Sequence, residues 1–377
     1  MARWLIVAGD VAPPGGMDRA NHALASFLAR TGHDVHLVAH RVSRDLASRE
    51  NVTVHHVPRP AGHLAGAPWL ARTAERCARH LGPGTRLLGN GGNCTLRGAT
   101  WIHFVHAACD PVVAGGLRTR VSAAIGRPYY LSRERAALRR ATLAICNSAR
   151  TADDVQRLFG MDDARTRVVQ YGVDAAAFAA VTSDERRRVR AAMGWDASRP
   201  VALFIGALGD RRKGFDVLFD GWRLLCEDGG WDADLVVAGT GGEAAAWRAR
   251  AACAKLAGRI RFLSFRGDIE RVIAAADVLV HPSRYEPYGL GVHEAICRGL
   301  PAIVCSGAGV AEQFDECTRP MLMTDPPCAG AIADALRRWR AAPDDWKGRF
   351  APLSARLRAR SWDDMAAEIA ALVEATA

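Results

Sequence analysis

Apolar residues recur along this chain in short uninterrupted runs, each followed by a stretch in which they return at every third or fourth position. Leu5-Ile6-Val7-Ala8 is the first such run and has the length of a buried strand. Pro13-Pro14-Gly15-Gly16 breaks it; Ala20, Leu24, Phe27 and Leu28 then share one helical face, and Gly32 stops the helix ahead of Val35-His36-Leu37-Val38-Ala39. Strand, helix, strand in that order predicts a βαβ unit with a parallel pair. Later strand candidates at Thr53–Val57, Thr100–Val105, Leu143–Cys146 and Arg167–Gln170 punctuate helical stretches, so the first half is predicted to be doubly wound.

Between about Ala176 and Pro200 the alternation lapses into a charged stretch, Asp184-Glu185-Arg186-Arg187-Arg188-Val189-Arg190, the best linker candidate. A fresh alternation follows. Strands are expected at Ala202–Ile205, Asp234–Ala238, Ile260–Leu263, Val278–Val280 and Ala302–Val304, with helices at Phe215–Cys226, about Glu243–Leu256 and about Gly289–Cys297. The expected class is α/β: two Rossmann-like doubly wound domains facing each other, residues 1–180 and 195–358, followed by a closing helix whose apolar face carries Met365, Ile369 and Leu372.

Composition agrees and excludes several classes. A chain of 377 residues suits two domains better than one core, and 49% hydrophobic with 24% charged residues is neither disordered nor fibrous. The run after Met1-Ala2-Arg3-Trp4 is too short for a signal-peptide core, so a cytoplasmic protein is expected. The ten cysteines form no Cys-x-x-Cys pair and meet no histidine cluster at zinc spacing; reduced, buried thiols are expected, with no metal and no cofactor. The formal net charge of +10 favours an anionic partner. Nucleic acid is disfavoured, because no recognition motif accompanies the basic residues. Arg72, Arg76 and Arg79 share one helical face, and Arg133, Arg135, Arg139 and Arg140 cluster on another helix; such faces suit an anionic membrane surface, or simply water.

Ligands of open α/β sheets sit beyond the carboxyl ends of the strands. At the first such junction Gly15-Gly16 allows close backbone approach to an anion at a helix start, although the spacing is not G-x-G-x-x-G and an ordinary turn uses the same residues. After the first strand of the second half comes Gly206-Ala207-Leu208-Gly209-Asp210-Arg211-Arg212-Lys213-Gly214, in which glycines beside fixed cations suit a diphosphate, or form a solvated basic loop; it is not a P-loop. The most informative stretch is Pro282-Ser283-Arg284-Tyr285-Glu286-Pro287-Tyr288-Gly289-Leu290-Gly291-Val292-His293-Glu294. Glu286 lies in a loop, suited to sugar hydroxyls beside a phosphate held by the Tyr288, Gly289 and Leu290 amides; Glu294, in the opening turns of a helix, suits a ribose diol. His103 and His106, three apart at the end of a strand, project differently, one packed and one exposed.

Taken in order, these pieces resemble glycosyltransferase family 4, retaining nucleotide-sugar-dependent transferases of the GT-B architecture, whose signature is two glutamates with seven residues between them, as at Glu286 and Glu294. The resemblance also covers Thr31-Gly32-His33-Asp34-Val35, Cys146-Asn147-Ser148, Tyr171-Gly172-Val173-Asp174 and Ala238-Gly239-Thr240-Gly241. It implies a cleft between the domains, a last helix (359–377) that crosses back to the first domain, and acceptor loops near His63–Pro68 and Asp110–Tyr130. It assigns Gly15 and Gly16 to the donor phosphates or sugar, Gly206 and Lys213 to the diphosphate, Glu286 to the transferred sugar, Glu294 to the ribose and His106 to the sugar. The nucleobase is expected near Arg266–Ile269. The family often places Arg directly after the glycine of the phosphate loop; Ala207 stands there, and Arg212 is expected to supply the cation. The implied activity moves a sugar from a nucleotide diphosphate sugar to an acceptor hydroxyl without a metal. An epimerase or phosphorylase on the same architecture, or a basic membrane-surface binding protein, is the alternative.

Overall fold

The computed structural model describes residues 1–13, 15–59, 63–109 and 117–376, with no account of side chains at 63–65 and 117–125. The chain divides into two compact units: Met1–Asp110 with Ser122–Gly172 and Arg360–Ala377, and, principally, Val173–Ala359.

The first unit contains β1 (Arg3–Val7), β2 (Asp10–Val11), α1 (Gly16–Arg30), β3 (Asp34–Ala39), β4 (Arg41–Val42), α2 (Arg44–Ala47), β5 (Val52–His56), α3 (His63–Leu81), β6 (Arg86–Asn90), β7 (Gly98–Ile102), α4 (Leu117–Arg140), β8 (Ala141–Cys146), α5 (Ala149–Phe159) and β9 (Thr166–Val168). Its main sheet is parallel in the order β5-β3-β1-β6-β7-β8-β9, and β2 pairs with β4 beside it. The strands are near-continuous apolar runs because helices cover both faces: Leu5, Val7, Val38, Leu70 and Ala74 meet in one buried cluster, Ile102, Val105, Leu138 and Val155 in another.

β6 escapes the hydrophobic pattern. Arg86-Leu87-Leu88-Gly89-Asn90 offers only two consecutive apolar residues, yet it is a central strand between β1 and β7, and a Cβ at Gly89 would stand 2.7 Å from that of Cys94. A neighbouring chain segment fills the place of the missing side chain.

The second unit contains α6 (Ser183–Ala192), β10 (Val201–Ile205), α7 (Phe215–Glu227), β11 (Asp234–Ala238), α8 (Ala244–Cys253), β12 (Ile260–Ser264), α9 (Ile269–Ala275), β13 (Val278–His281), α10 (Leu290–Cys297), β14 (Ala302–Cys305), β15 (Leu322–Met323), α11 (Ala329–Ala341) and α12 (Pro343–Arg358). Its sheet is parallel, order β12-β11-β10-β13-β14-β15. The winding reverses between β10 and β13, as it does in the first unit between β1 and β6. The last helix, α13 (Trp362–Ala375), belongs to the first unit, where it packs on α1 and buries Met365, Ile369 and Val373.

Two expectations need correction. The units part at Gly172/Val173 rather than near 180, because Val173 and Phe178 already pack in the second core. The charged stretch Asp184–Arg190 is not a linker but lies within α6. Arg190 is 2% exposed and donates to the carbonyls of Ala275, Asp196, Ala197 and Arg199 and to the Asp277 carboxylate, while Arg186 reaches Asp277 and the Ala276 carbonyl. A guanidinium with this many acceptors is tolerated inside, and it fastens α6 to the entrance of β13. The ten cysteines are free thiols, but Cys253, Cys317 and Cys328 are exposed rather than buried. No described helix is long and apolar enough to cross a membrane.

Candidate functional site

The reversal of winding leaves the loops after β10 and β13 side by side, the place where an open sheet takes a ligand. After β10, Gly206 donates its amide to the Ala238 carbonyl and Leu208 to that of Thr240, so the loop runs beside Gly239-Thr240-Gly241. A Cβ at Gly239 would lie 1.9 Å from the Gly206 oxygen. The loop then tightens into a 3₁₀ turn, Arg211–Lys213, started by the Asp210 side chain accepting from the Arg212 amide at 3.1 Å. Gly214 ends it at φ +72°, with the Pro282 carbonyl oxygen 1.8 Å from where a Cβ would stand.

Contact with the β13 loop fixes this turn. Arg284 donates its own amide to the Arg212 carbonyl at 2.8 Å, its Nη1 to the Arg211 carbonyl at 2.6 Å, and both Nη1 and Nη2 to Asp216 at 2.8 Å. Lys213 is thereby aimed at Glu286, and Nζ donates to Oε2 at 2.6 Å. The same oxygen lies 3.2 Å from His281 Nε2. Burial opposes ionisation of Glu286, but Lys213, the His281 hydrogen bond and the charge of Arg212 outweigh it and hold the carboxyl far below its usual range. Burial pushes the His281 imidazole down, against the pull of Glu286. The result is a fixed charge cluster at a sheet's ligand-binding edge. Arg212 stands beside it, its Nη2 on Asp210 at 2.9 Å.

Beyond Glu286 the chain turns at Gly289, φ +105°, into α10. The Tyr288 hydroxyl meets His293 Nδ1 at 2.6 Å, and the Tyr288 carbonyl accepts from Val310. Leu290 begins the helix and Glu294, buried to 6% exposure, lies in its second turn. Arg266 is held by Asp268 at 2.7 Å just before Ile269 opens α9. Of the sequence candidates in this unit, Lys213 and Glu286 are in direct contact and Arg212 is close by. His281 and the Asp216–Arg284 pair were not among them; a lone histidine ending the apolar run Val278-Leu279-Val280 was the available signal.

The first unit has its own hollow at the corresponding reversal, a cavity of about 400 Å³ lined by Asp10, Asp18, His40, Asn90, His106 and Tyr130 among others. Gly15, at φ +94°, precedes α1, and Gly16 is its first residue. Burial and then the neighbouring Asp10 raise the Asp18 carboxyl to about 6, against the nearby Arg41 and Arg59. The two candidate histidines separate as expected. His103 is buried against Trp101 and hydrogen-bonded through Nδ1 to the Tyr171 hydroxyl, and burial pushes its imidazole down to about 3. His106 lines the cavity, its ring stacked on Tyr130 with centroids 5.0 Å apart. Of the expected acceptor loops, His63–Pro68 lies in or at the start of α3 with 63–65 lacking a described side chain, while 110–116 lies outside the described residues.

Comparison with known proteins covers both units. Residues 14–177 match the model of Glycosyltransferase Family 4, and residues 199–341 that of Glycosyl transferases group 1. An uncharacterised glycosyltransferase of Methanocaldococcus jannaschii is 28% identical over 320 residues, 79% of this chain and 78% of its own. A GDP-mannose-dependent alpha-(1-6)-phosphatidylinositol dimannoside mannosyltransferase of Mycobacterium tuberculosis is 27% identical over 375 residues, 96% of this chain and 93% of its own. Among solved structures, WaaG, a glycosyltransferase involved in lipopolysaccharide biosynthesis, has a TM-score of 0.79 at 18% identity, covering 98% of this chain and 99% of that one. Anabaena HepE in complex with UDP-glucose has a TM-score of 0.74 at 18% identity over the full length of both chains. The likeness to these structures is one of fold, and it is the GT-B pair of parallel-sheet units described above. With a glycosyltransferase model matching each half and relatives aligned along most of the chain, the protein is a family 4-like glycosyltransferase.

Proposed function

We propose that the protein transfers a glycosyl group from a nucleoside diphosphate sugar to an acceptor hydroxyl with retention at the anomeric carbon. The observation that carries this reading is the Lys213–Glu286–His281 cluster at the winding reversal of the second unit. When the anomeric C–O bond breaks, negative charge gathers on the departing diphosphate. Arg212, Lys213 and the amides around Tyr288, Gly289 and Leu290 are fixed donors for that charge, so stabilisation is electrostatic and already in place. Lys213 has three N–H bonds and gives one to Glu286, leaving others for phosphate oxygens. Glu286, kept ionised, accepts from hydroxyls of the transferred sugar, and Glu294 from the ribose. The loop from Arg266 to Ile269 receives the nucleobase. Gly15, Gly16 and His106 are assigned to phosphate and sugar groups entering the first-unit cavity. The acceptor oxygen forms its bond to the anomeric carbon on the face the diphosphate leaves, and the acceptor proton passes to the departing phosphate oxygen. The reading requires no metal.

HepE was solved with UDP-glucose, and the mycobacterial relative is named GDP-mannose-dependent; both support a nucleotide diphosphate sugar as donor here. A cytoplasmic enzyme is part of this proposal, and the exposed arginines of α3 and α4 support a peripheral contact with an anionic membrane face.

Glu286→Ala and Lys213→Ala are each expected to abolish transfer while leaving thermal unfolding cooperative. The assay is release of nucleoside diphosphate from a panel of UDP-, GDP- and ADP-sugars, with and without acceptor. Release that depends on acceptor separates transfer from epimerase or phosphorylase chemistry, and near-normal turnover in both variants overturns the assignment.

A further inference from the structure

We infer that Glu134 is a positioning residue for His106, and that with Tyr130 it fixes the imidazole that the first unit presents to its cavity. The inference rests on the reading above that His106 contacts a sugar.

His106 opens a 3₁₀ turn, His106–Ala108. The leading amides of so short a turn have no partner within it. Glu134 supplies both: Oε1 accepts from the His106 amide at 2.8 Å and Oε2 from the Ala107 amide at 3.0 Å. Glu134 is 3% exposed, and a buried carboxylate is tolerated only where its oxygens are hydrogen-bonded. Here each of its two oxygens takes an amide of the turn. Burial pushes the Glu134 carboxyl up to about 7, and the same two amides oppose that shift.

Tyr130 grips the other end of the residue. Positions 130 and 134 are one helical turn apart, so their side chains leave α4 on one face. While Glu134 holds the backbone of His106, the Tyr130 ring lies parallel to its imidazole, 9° between planes. Phe104 packs edge-on against the imidazole from the preceding loop, centroids 4.9 Å apart. A histidine tethered at backbone and ring loses little further freedom when it meets a substrate, which is the way a support raises turnover without touching the reacting atoms.

Glu134→Gln keeps the shape but turns an NH₂ group toward one amide donor, opening half of the clamp. We expect kcat to fall roughly ten-fold, with the KM for nucleotide sugar and the affinity for nucleoside diphosphate unchanged and unfolding still cooperative. Adding Glu134→Gln to His106→Ala is expected to lower kcat no further, because the glutamate acts through the imidazole. Tyr130→Leu is expected to slow transfer in the same way, and Tyr130→Phe, which keeps the stack, to restore it. Where His106→Ala slows transfer, an unchanged kcat in Glu134→Gln, or an equal fall in both backgrounds, overturns the inference. If His106→Ala itself leaves transfer intact, the role given to His106 fails separately. The His106 ring resonances in proton–nitrogen spectra then decide: displacement in Glu134→Gln and Tyr130→Leu upholds the clamp, and unmoved resonances overturn it.

Discussion

Glu286 remains a carboxylate with only 8% of its surface exposed because Lys213 and His281 share one of its oxygens. Its carboxyl is depressed in the folded state, so the stability this pairing contributes is fully present above the ordinary glutamate range and is lost progressively as pH falls from that range to the lower folded value. The acid side of a pH–rate profile therefore reports other groups. His103 behaves oppositely. Its folded value of about 3 against an ordinary 6.5 means that below pH 6.5 the unfolded chain binds a proton the native one refuses. Stability is flat above that pH and declines beneath it, by about 2 kcal/mol at pH 5. Urea denaturation at pH 7 and pH 5 measures this, and in His103→Gln the part of the decline due to this residue is expected to vanish.

Elements place these residues through backbone that admits no side chain. At Gly214 a methyl group meets both a positive φ and the Pro282 carbonyl, so Gly214→Ala must push the β10 and β13 loops apart. We expect nucleoside diphosphate affinity to fall at least about ten-fold by calorimetry, a loss of about 1.4 kcal/mol or more, with a lowered melting temperature. Much at this scale was readable from the chain. The strands at Val201–Ile205 and Ala302–Cys305 are unbroken apolar runs, and Asp234–Ala238 is one after its first residue, as strands covered on both faces must be, and the Glu286/Glu294 spacing is local. What was not readable depends on distant partners. β6 is a strand because β1 and β7 flank it, not because Arg86-Leu87-Leu88-Gly89-Asn90 alternates or runs apolar. α6 looked like a solvated linker because nothing within it says that Arg190 will find Asp277. Lys213 and Glu286 meet across 73 positions, and each alone reads as an exposed charge.

Across the whole molecule the surplus of ten positive charges is unevenly compensated. On the second unit, arginines such as Arg223, Arg250 and Arg340 face carboxylates, whereas Arg72, Arg76, Arg79, Arg135 and Arg139 stand exposed on α3 and α4. Arg133, grouped with them on sequence, is instead half-buried, with Nε on the Gly92 carbonyl at 3.4 Å. Co-sedimentation with phosphatidylglycerol vesicles is expected at low ionic strength and to disappear at about 0.5 M salt, where screening leaves little attraction beyond a few ångströms. Absence of binding at low salt would reject a membrane role for this face.

The assignment of α13 to the first unit bears on how the chain comes into being. The polypeptide leaves that unit at Gly172 and re-enters it at Arg360, so all of Val173–Ala359 is inserted between its parts. On a ribosome the inserted unit has its full complement of strands and helices while the earlier one still lacks the helix that covers α1. The half that emerges first is completed only after the inserted unit, when α13, with its buried Met365 and Ile369, reaches α1, whose Leu24 and Leu28 are buried in the folded protein.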